Sequence, residues 1–577
     1  MKKFLIGLVT GVVLAGVAVV ILFFAAVRLG AGRPSVAQNS TLLLRLEGEI
    51  AEQPGVEIPF GPFASHAPVT VRETWIMLRR AAADNRIKAL LLMPKGVGAG
   101  WGKLQEIREG ILEFKKSGKP VYAWLRTPTN REYYLATAAD RIYLAPEDVL
   151  DVKGLRAELL FAKNALDKLG VKVEIEHAGK YKDAGDMFTR TSMTPETREV
   201  MNSMLDRLYA HLAEVIGSSR RKTPEQVKAL VDQGPFLANQ AKNAGLIDGV
   251  LYEDEVYGEL ARKLRQTELT KIGHRQYLKA IGPGNGKNRV AFVVGQGAIA
   301  RGEADELQTD GIYSDSFIKL LRQVAGDSSI KGVILRIDSP GGDAIASDDI
   351  LREVRLLSKK KPLVVSMSDV AASGGYYIAM SGDPIVSYPN TFTGSIGVIY
   401  GKVNLRGLYD KIGVQKEIMT RGRNAAIDSD YQPLDQASRE KLRESIYSIY
   451  DGFLKRVSEG RKRPYEEVAE VAEGRVWLGS QAKENGLVDE LGGLNQAVEL
   501  IKAKAGIPKD EAVYLVPFPR RRNFFDALFN TSAASAFDSQ VRKILAAAGL
   551  EALNRSEVMM WLRGGMLRAM PYSIDIH

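Results

Sequence analysis

The chain repeats itself. DNRIKALLLMPK at 84–95 returns as DSSIKGVILRID at 327–338, 243 residues further on. LDKLGV at 166–171 returns as YDKIGV at 409–414 with the same offset, and NQAKNAGLIDGV at 239–250 as SQAKENGLVDEL at 480–491 with an offset of 241. Landmarks in one order with so steady an offset describe one ancestral unit of roughly 240 residues followed by a second copy. The 577 residues are thereby bound to two related folds, and function has to be sought where the copies differ.

Within each copy, short apolar runs alternate with helical periodicity. ALLLM (89–93) and GVILRI (332–337) read as buried strands, followed by KPVYAWL (119–125) and KPLVVSM (361–367). WGKLQEIREGILEFKK (101–116) and GDAIASDDILREVRLL (342–357) carry apolar residues at three- and four-residue steps, as amphipathic helices do. This alternation predicts an α/β fold, duplicated in tandem. The expected boundaries are a linker at 29–40, a first unit at 41–281, a glycine-rich joint at 282–288, a second unit at 289–510 and an extension at 511–577. That extension, with PRRRNFF (519–525) and the apolar-aromatic Phe524 to Phe529, fits a membrane-surface contact, a packing arm or an oligomer clasp.

The N-terminus adds a second constraint. Lys2 and Lys3 precede an uncharged run from Phe4 to Val27, closed by Arg28. As a helix this run spans roughly 36 Å, against a hydrocarbon core of about 30 Å. Residues 1–28 are therefore expected to be one transmembrane helix, an uncleaved signal anchor touching lipid through residues 4–27. Its cationic start puts residues 29–577 on the far side of the membrane. The net charge of +10 is spread along the chain, without a nucleic-acid module, and suits anionic lipid. Cysteine is absent, which removes thiol nucleophiles, disulfides and cysteine-ligated metals. The five histidines (His66, His177, His211, His274, His577) show no metal-ligand spacing, so no metal or cofactor is expected.

Chemistry concentrates in the second copy. IDSPGGDA (337–344) runs from a strand into a glycine turn at a helix start. DVAASGGYYIA (369–379) then sets Ser373 before two glycines, and NTFTGSIGV (390–398) places Ser395 22 residues later. A serine at a helix start beside glycine N–H groups has what a nucleophile with an oxyanion site needs.

SPGG, AASGGYY and TGSIG, with the apolar start, resemble signal peptide peptidase A of the long, duplicated bacterial type, a Ser–Lys protease family with the Clp-protease/crotonase fold. The resemblance covers the chain to about residue 510. It implies Ser373 as nucleophile, Ser395 orienting the lysine, and backbone N–H groups of Gly374 and Gly342 as oxyanion donors. The family's base lysine lies in a G-x-Y-K segment of the first copy, here within HAGKYKDAG (177–185), which makes it Lys182. It further implies an inner-membrane, single-pass protease whose body lies on the periplasmic side. Its expected substrates are remnant signal peptides, and its expected state is a homo-oligomer, a tetramer.

Comparing the copies tests this choice. At an offset of 243, Lys180 meets Arg423, a retained cation, while Lys182 meets Ala425; at 242, Ser373 meets Arg131 and Gly374–Gly375 meet Glu132–Tyr133. Each copy then holds half of one dyad. A lysine acting as base must be neutral, and burial disfavours its charged form. Asp183 beside it is expected to face away, on a strand. His177, a lone histidine, reads as structural. The rival readings are a crotonase-like acyl-CoA enzyme, with the glycine turns as an oxyanion site alone, and a peptide-binding scaffold without catalysis.

Overall fold

The structure is a computed structural model that describes residues 11, 34–53, 68–282, 286–304, 311–519 and 565–570. The first copy builds a six-stranded parallel sheet and the second an eight-stranded one, in which six parallel strands repeat the strand order of the first while Phe392–Gly394 and Val476–Leu478 add an antiparallel pair. In the first copy the order runs Gly249–Val250, Arg141–Leu144, Val121–Leu125, Ile87–Gly98, Ser40–Glu49, Lys271–Gly273. In the second it runs Glu490–Leu491, Ile385–Ser387, Leu363–Ala372, Ile330–Ser339, Asn288–Gln296, Val513–Phe518. The last of these strands lies beyond residue 510, so the second sheet runs into the expected extension.

The apolar runs are continuous because a parallel sheet covered on both faces buries every side chain. Alternation assigns the faces. Val290, Phe292 and Val294 point into a core shared with Leu42, Leu44, Leu90 and Leu92 of the first copy, while Ala291, Val293, Leu335 and Ile337 point into a core of the second copy alone. One apolar core therefore runs between the two sheets. The helix Trp101–Lys115 lies within it, and its first residues, Trp101 to Ile107, are buried all round rather than on one stripe. The amphipathic expectation for 101–116 fails there because a second unit packs on what would have been the wet face.

The copies also join by backbone. Lys172–Ala178 of the first pairs antiparallel with Val398–Asn404 of the second, from Lys172↔Asn404 to Ala178↔Val398. This pair belongs to a third sheet, ordered Ile312–Tyr313, Ile299–Ala300, Gly341–Asp343, Gly565–Ala569, Val398–Asn404, Lys172–Ala178.

The expected membrane helix is corrected. Among the described residues no helix is long and apolar enough to cross a membrane. The segment 1–28, apart from Gly11, lies outside them. The fold is duplicated α/β without a transmembrane helix in the described residues. Membrane anchoring, lipid contact through 4–27 and the single-pass inner-membrane placement have no support and are set aside with it. The stretch Phe524 to Phe529 also lies outside the described residues.

Candidate active site

The antiparallel register between the copies sets the site. The pair ends at Ala178↔Val398, and the turn that follows the strand carries Lys182 to the segment holding Ser395. Lys182 has no exposed surface, and its Nζ lies 2.9 Å from Ser373 Oγ, 2.8 Å from Ser395 Oγ and 2.8 Å from the Ser395 carbonyl oxygen. Ser373 and Ser395 are equally buried. A neutral amine has two N–H donors and one lone pair. The Ser395 carbonyl oxygen can only accept, and the Ser395 hydroxyl accepts readily. That allotment leaves the lone pair for the hydroxyl proton of Ser373.

Ser373 follows the strand Leu363–Ala372 and precedes the short helix Gly374–Ile378. Its φ of 53° and ψ of −113° lie outside the basins open to L-residues at low cost. The turn is held by Ser373 N–H donating to Gly394 O (2.8 Å) and Tyr377 N–H donating to Ser373 O (2.8 Å). Gly342 sits in the strand Gly341–Asp343 at φ +153°, where a Cβ would come within 2.1 Å of Ile299 O. Only glycine fits that approach.

Two supports escaped the sequence reading. The first is Gly474, at φ +78°, whose added Cβ would fall 2.6 Å from Lys182 Cβ. Its neighbours brace both turns: Tyr181 N–H donates to Glu473 O (2.8 Å), Gly474 N–H to Ile396 O (2.8 Å) and Ser395 N–H to Arg475 O (2.7 Å). Nothing in EGR (473–475) marks this; it is decided by a contact 292 residues away in sequence.

The second is a buried ionic clamp. Lys103 Nζ lies 2.7 Å from Asp338 and 3.3 Å from Asp369, and the N–H groups of Gly100 (2.9 Å) and Lys103 (2.7 Å) donate to the Asp369 carboxylate. Asp338 leads into the SPGG turn and Asp369 into the turn of Ser373. One lysine of the first copy thus ties together both glycine turns of the second. Burial opposes the Lys103 charge, but Asp338 and Asp369 outweigh it and hold its pKa above the ordinary lysine range. Burial raises Asp369, with Asp338 nearby adding to the effect. No local signal marked this clamp, because on a helix read as amphipathic Lys103 falls among the polar positions. Beside it, fully buried Arg336 bonds Glu52 (2.8 Å) and Ser366 (2.9 Å), and burial pushes Glu106 up to about 7.

Asp183 does not sit on a strand. The strand ends at Ala178, and Lys182 and Asp183 lie in the turn that follows. The Asp183 carboxylate accepts from the Thr197 hydroxyl, and burial raises its pKa to about 6. His177 is exposed, with Nδ1 3.0 Å from Gly179 O.

The structure also shifts one pairing of the copies. Tyr133 and Tyr376 donate their hydroxyls to Leu246 O (2.6 Å) and Leu487 O (2.8 Å), carbonyls that are themselves repeat partners. Matching these tyrosines puts Asn130, not Arg131, at the place of Ser373, and Glu132 at the place of Gly375.

A model described as Peptidase family S49 matches residues 113–267 and 355–508. "Serine protease SPPA, chloroplastic" of Arabidopsis thaliana is 35% identical, over 84% of this chain and 72% of that protein. "Protease 4" of Haemophilus influenzae is 33% identical over 84% and 82%, and "Protease 4" of Salmonella typhi 32% over 74% and 71%. Among solved structures, ClpP1 from Listeria monocytogenes is matched at 17% identity and a TM-score of 0.21, over 35% of this chain and 91% of that one, too slight a likeness to argue from.

Proposed function

We propose, for a chain that belongs to peptidase family S49, that Ser373 is the nucleophile and Lys182 its general base, drawn from different copies of the repeat. The chain is a serine protease of a Ser–Lys dyad family; the assignment of roles to these residues is our reading. The observation that carries it is the three-point seat of Lys182 Nζ between Ser373 and Ser395. Lys182 takes the Ser373 proton as Oγ attacks the peptide carbonyl, and N–H groups of Gly342 and Gly374 receive the oxyanion. The lysine returns that proton to the leaving amine, then activates the water that hydrolyses the acyl-enzyme. Ser395 holds the amine in place throughout.

A scaffold without catalysis has no use for a fully desolvated lysine against a serine in a costly backbone conformation, and an acyl-CoA enzyme using the glycine turns alone needs neither. The test is covalent labelling with a small organophosphorus serine probe, alongside peptide hydrolysis. Wild type should be labelled at Ser373, while Ser373→Ala and Lys182→Ala fold but neither label nor cleave. Near-normal cleavage by either variant overturns the assignment.

A further inference from the structure

The first copy has Asn130 where the second has its serine, yet it keeps an open hollow at that place. Gly96 to Gly98, Thr129 to Glu132 and Asp151 to Arg156 line a cavity of about 670 Å³. At an offset of 243 these segments answer 339–341, 372–375 and 394–399, which fall in the SPGG, AASGG and TGSIG turns of the second copy. The volume lies within the roughly 300–1,000 Å³ of ordinary ligand pockets. Gly96 leaves open space where a Cβ would stand, so a peptide main chain can lie against this edge.

The inner wall is made of acceptors. Glu132 is buried, and its oxygens are taken by Val97 N–H (2.6 Å), Thr129 N–H (2.9 Å) and the Thr129 hydroxyl (2.6 Å). Asn130 is 6% exposed, and its Nδ2–H donates to Gly154 O at 2.8 Å. A carbonyl oxygen only accepts, so that bond fixes which way the amide faces. The Asn130 Oδ1 is left without a partner among the described residues. An unpaired buried acceptor is costly and rare in folded proteins, and an N–H brought by a ligand would satisfy it.

The outer wall carries cations. Lys153 pairs with Asp151 at 2.8 Å and Arg156 with Glu158 at 3.4 Å, and both cations are more than half exposed. Exposed pairs of this kind hold weakly and exchange for another carboxylate. Arg131 adds a third cation to the lining. Acceptors within and cations without orient a ligand: Glu132 keeps a carboxylate from the inner end and draws N–H groups there.

We propose that this cavity is a second peptide site, without chemistry of its own. It takes a short peptide with N–H groups inward and the terminal carboxylate among Arg131, Lys153 and Arg156. Each cut at Ser373 creates a new carboxylate, so cleaved fragments carry the group this site selects. That link to product rests on the reading of Ser373 as nucleophile; the site itself does not.

The experiment is amide exchange on full-length Ser373→Ala with the tetrapeptide ALAL, as free acid and as C-terminal amide. The acid should slow exchange at 129–132 and 151–156, half-maximally at a concentration about tenfold below that of the amide. Asn130→Leu in the same background removes the lone acceptor and should raise the acid's half-maximal concentration about tenfold. Exchange unchanged in both segments at millimolar peptide, or slowed in the second copy alone, overturns the proposal. Equal binding of acid and amide, or full binding by Asn130→Leu, overturns it as well. Should Asn130→Leu not fold, Arg156→Glu decides: it should weaken the acid and spare the amide, and equal weakening of both overturns the proposal. Failure of the organophosphorus probe to label Ser373 in wild type removes the link to product, while slowed exchange at 151–156 still upholds the site.

Discussion

The two copies solve the same turn in opposite ways. In the second, the strand Leu363–Ala372 ends in a serine at φ 53°, followed by two glycines. In the first, the matching turn is relaxed. Thr129 is extended (φ −93°) and caps the helix Asn130–Ala136 in a reciprocal capping box with Glu132. Asn130, at the serine's place, donates Nδ2–H to Gly154 O at 2.8 Å, and Glu132 accepts the Val97 N–H at 2.6 Å. A carboxylate where the other copy has glycine repels any developing oxyanion. The first copy became a stable cap, and the second kept a costly turn. A costly turn kept in one copy and relaxed in the other agrees with the nucleophile role proposed for Ser373.

This contrast can be broken most forcefully at the base. Lys182→Ala should lower kcat by about 10⁴-fold, and Ala425→Lys added to it should restore nothing, since the first copy, with Asn130 at the serine's place, offers that lysine no nucleophile. Rescue would show the copies to be interchangeable. Next in size is Gly474→Ala. Its Cβ must displace Lys182, so peptide hydrolysis should fall about 10²-fold in kcat with the fold intact, by the cost of misplacing a reacting group. Unchanged kcat would mean that the base is not held from the second copy.

The clamp between copies is tested by stability. Lys103→Met leaves Asp338 and Asp369 buried without their cation, and urea unfolding should show a loss of about 3–5 kcal/mol. A loss below about 1 kcal/mol, as for a surface pair, would remove the clamp from the account.

Asp183 sharpens the comparison by pH. Its pKa is raised to about 6 in the folded chain by burial, so folding favours its protonated form. That contribution is full below pH 3.8, the unfolded value, and is lost as pH rises through about 6. Asp183→Asn should therefore match wild type near pH 4 and exceed its stability at pH 7, by an amount of order 3 kcal/mol at most. Equal thermal unfolding temperatures at both pH values would contradict it. The smallest expected effect is none at all: Asn130→Ser in a Ser373→Ala background should stay inactive in peptide hydrolysis.

How much of this was legible in the chain depends on the range of the interaction. ALLLM and GVILRI announce strands because a doubly covered parallel sheet writes burial into consecutive residues. Local turns marked Ser373, Ser395 and Gly342 as candidates, while the family resemblance pointed to Lys182 and to the role of Ser395, with the repeat as a check on the lysine. The offset that set Ser373 against Arg131 was one residue out. Counting spacing cannot see which tyrosine reaches which carbonyl, and Tyr133 and Tyr376 settle it in space. Helix 101–115 was misread as one-sided, because period alone does not reveal a second sheet on the other face.

The sequence by itself determined that there are two α/β copies, that the serine turn survives in one and the lysine in the other, and that no cysteine takes part. Tertiary structure alone decided that the halves meet. The contact of Lys182 with Ser373 spans 191 residues, and it exists because an antiparallel pair joins the copies in one register. Lys103 at two aspartates, Gly474 under Lys182 and Gly565–Ala569 between two strand edges are of the same kind. Each depends on distances between distant segments, which a packed core fixes and a local pattern does not encode.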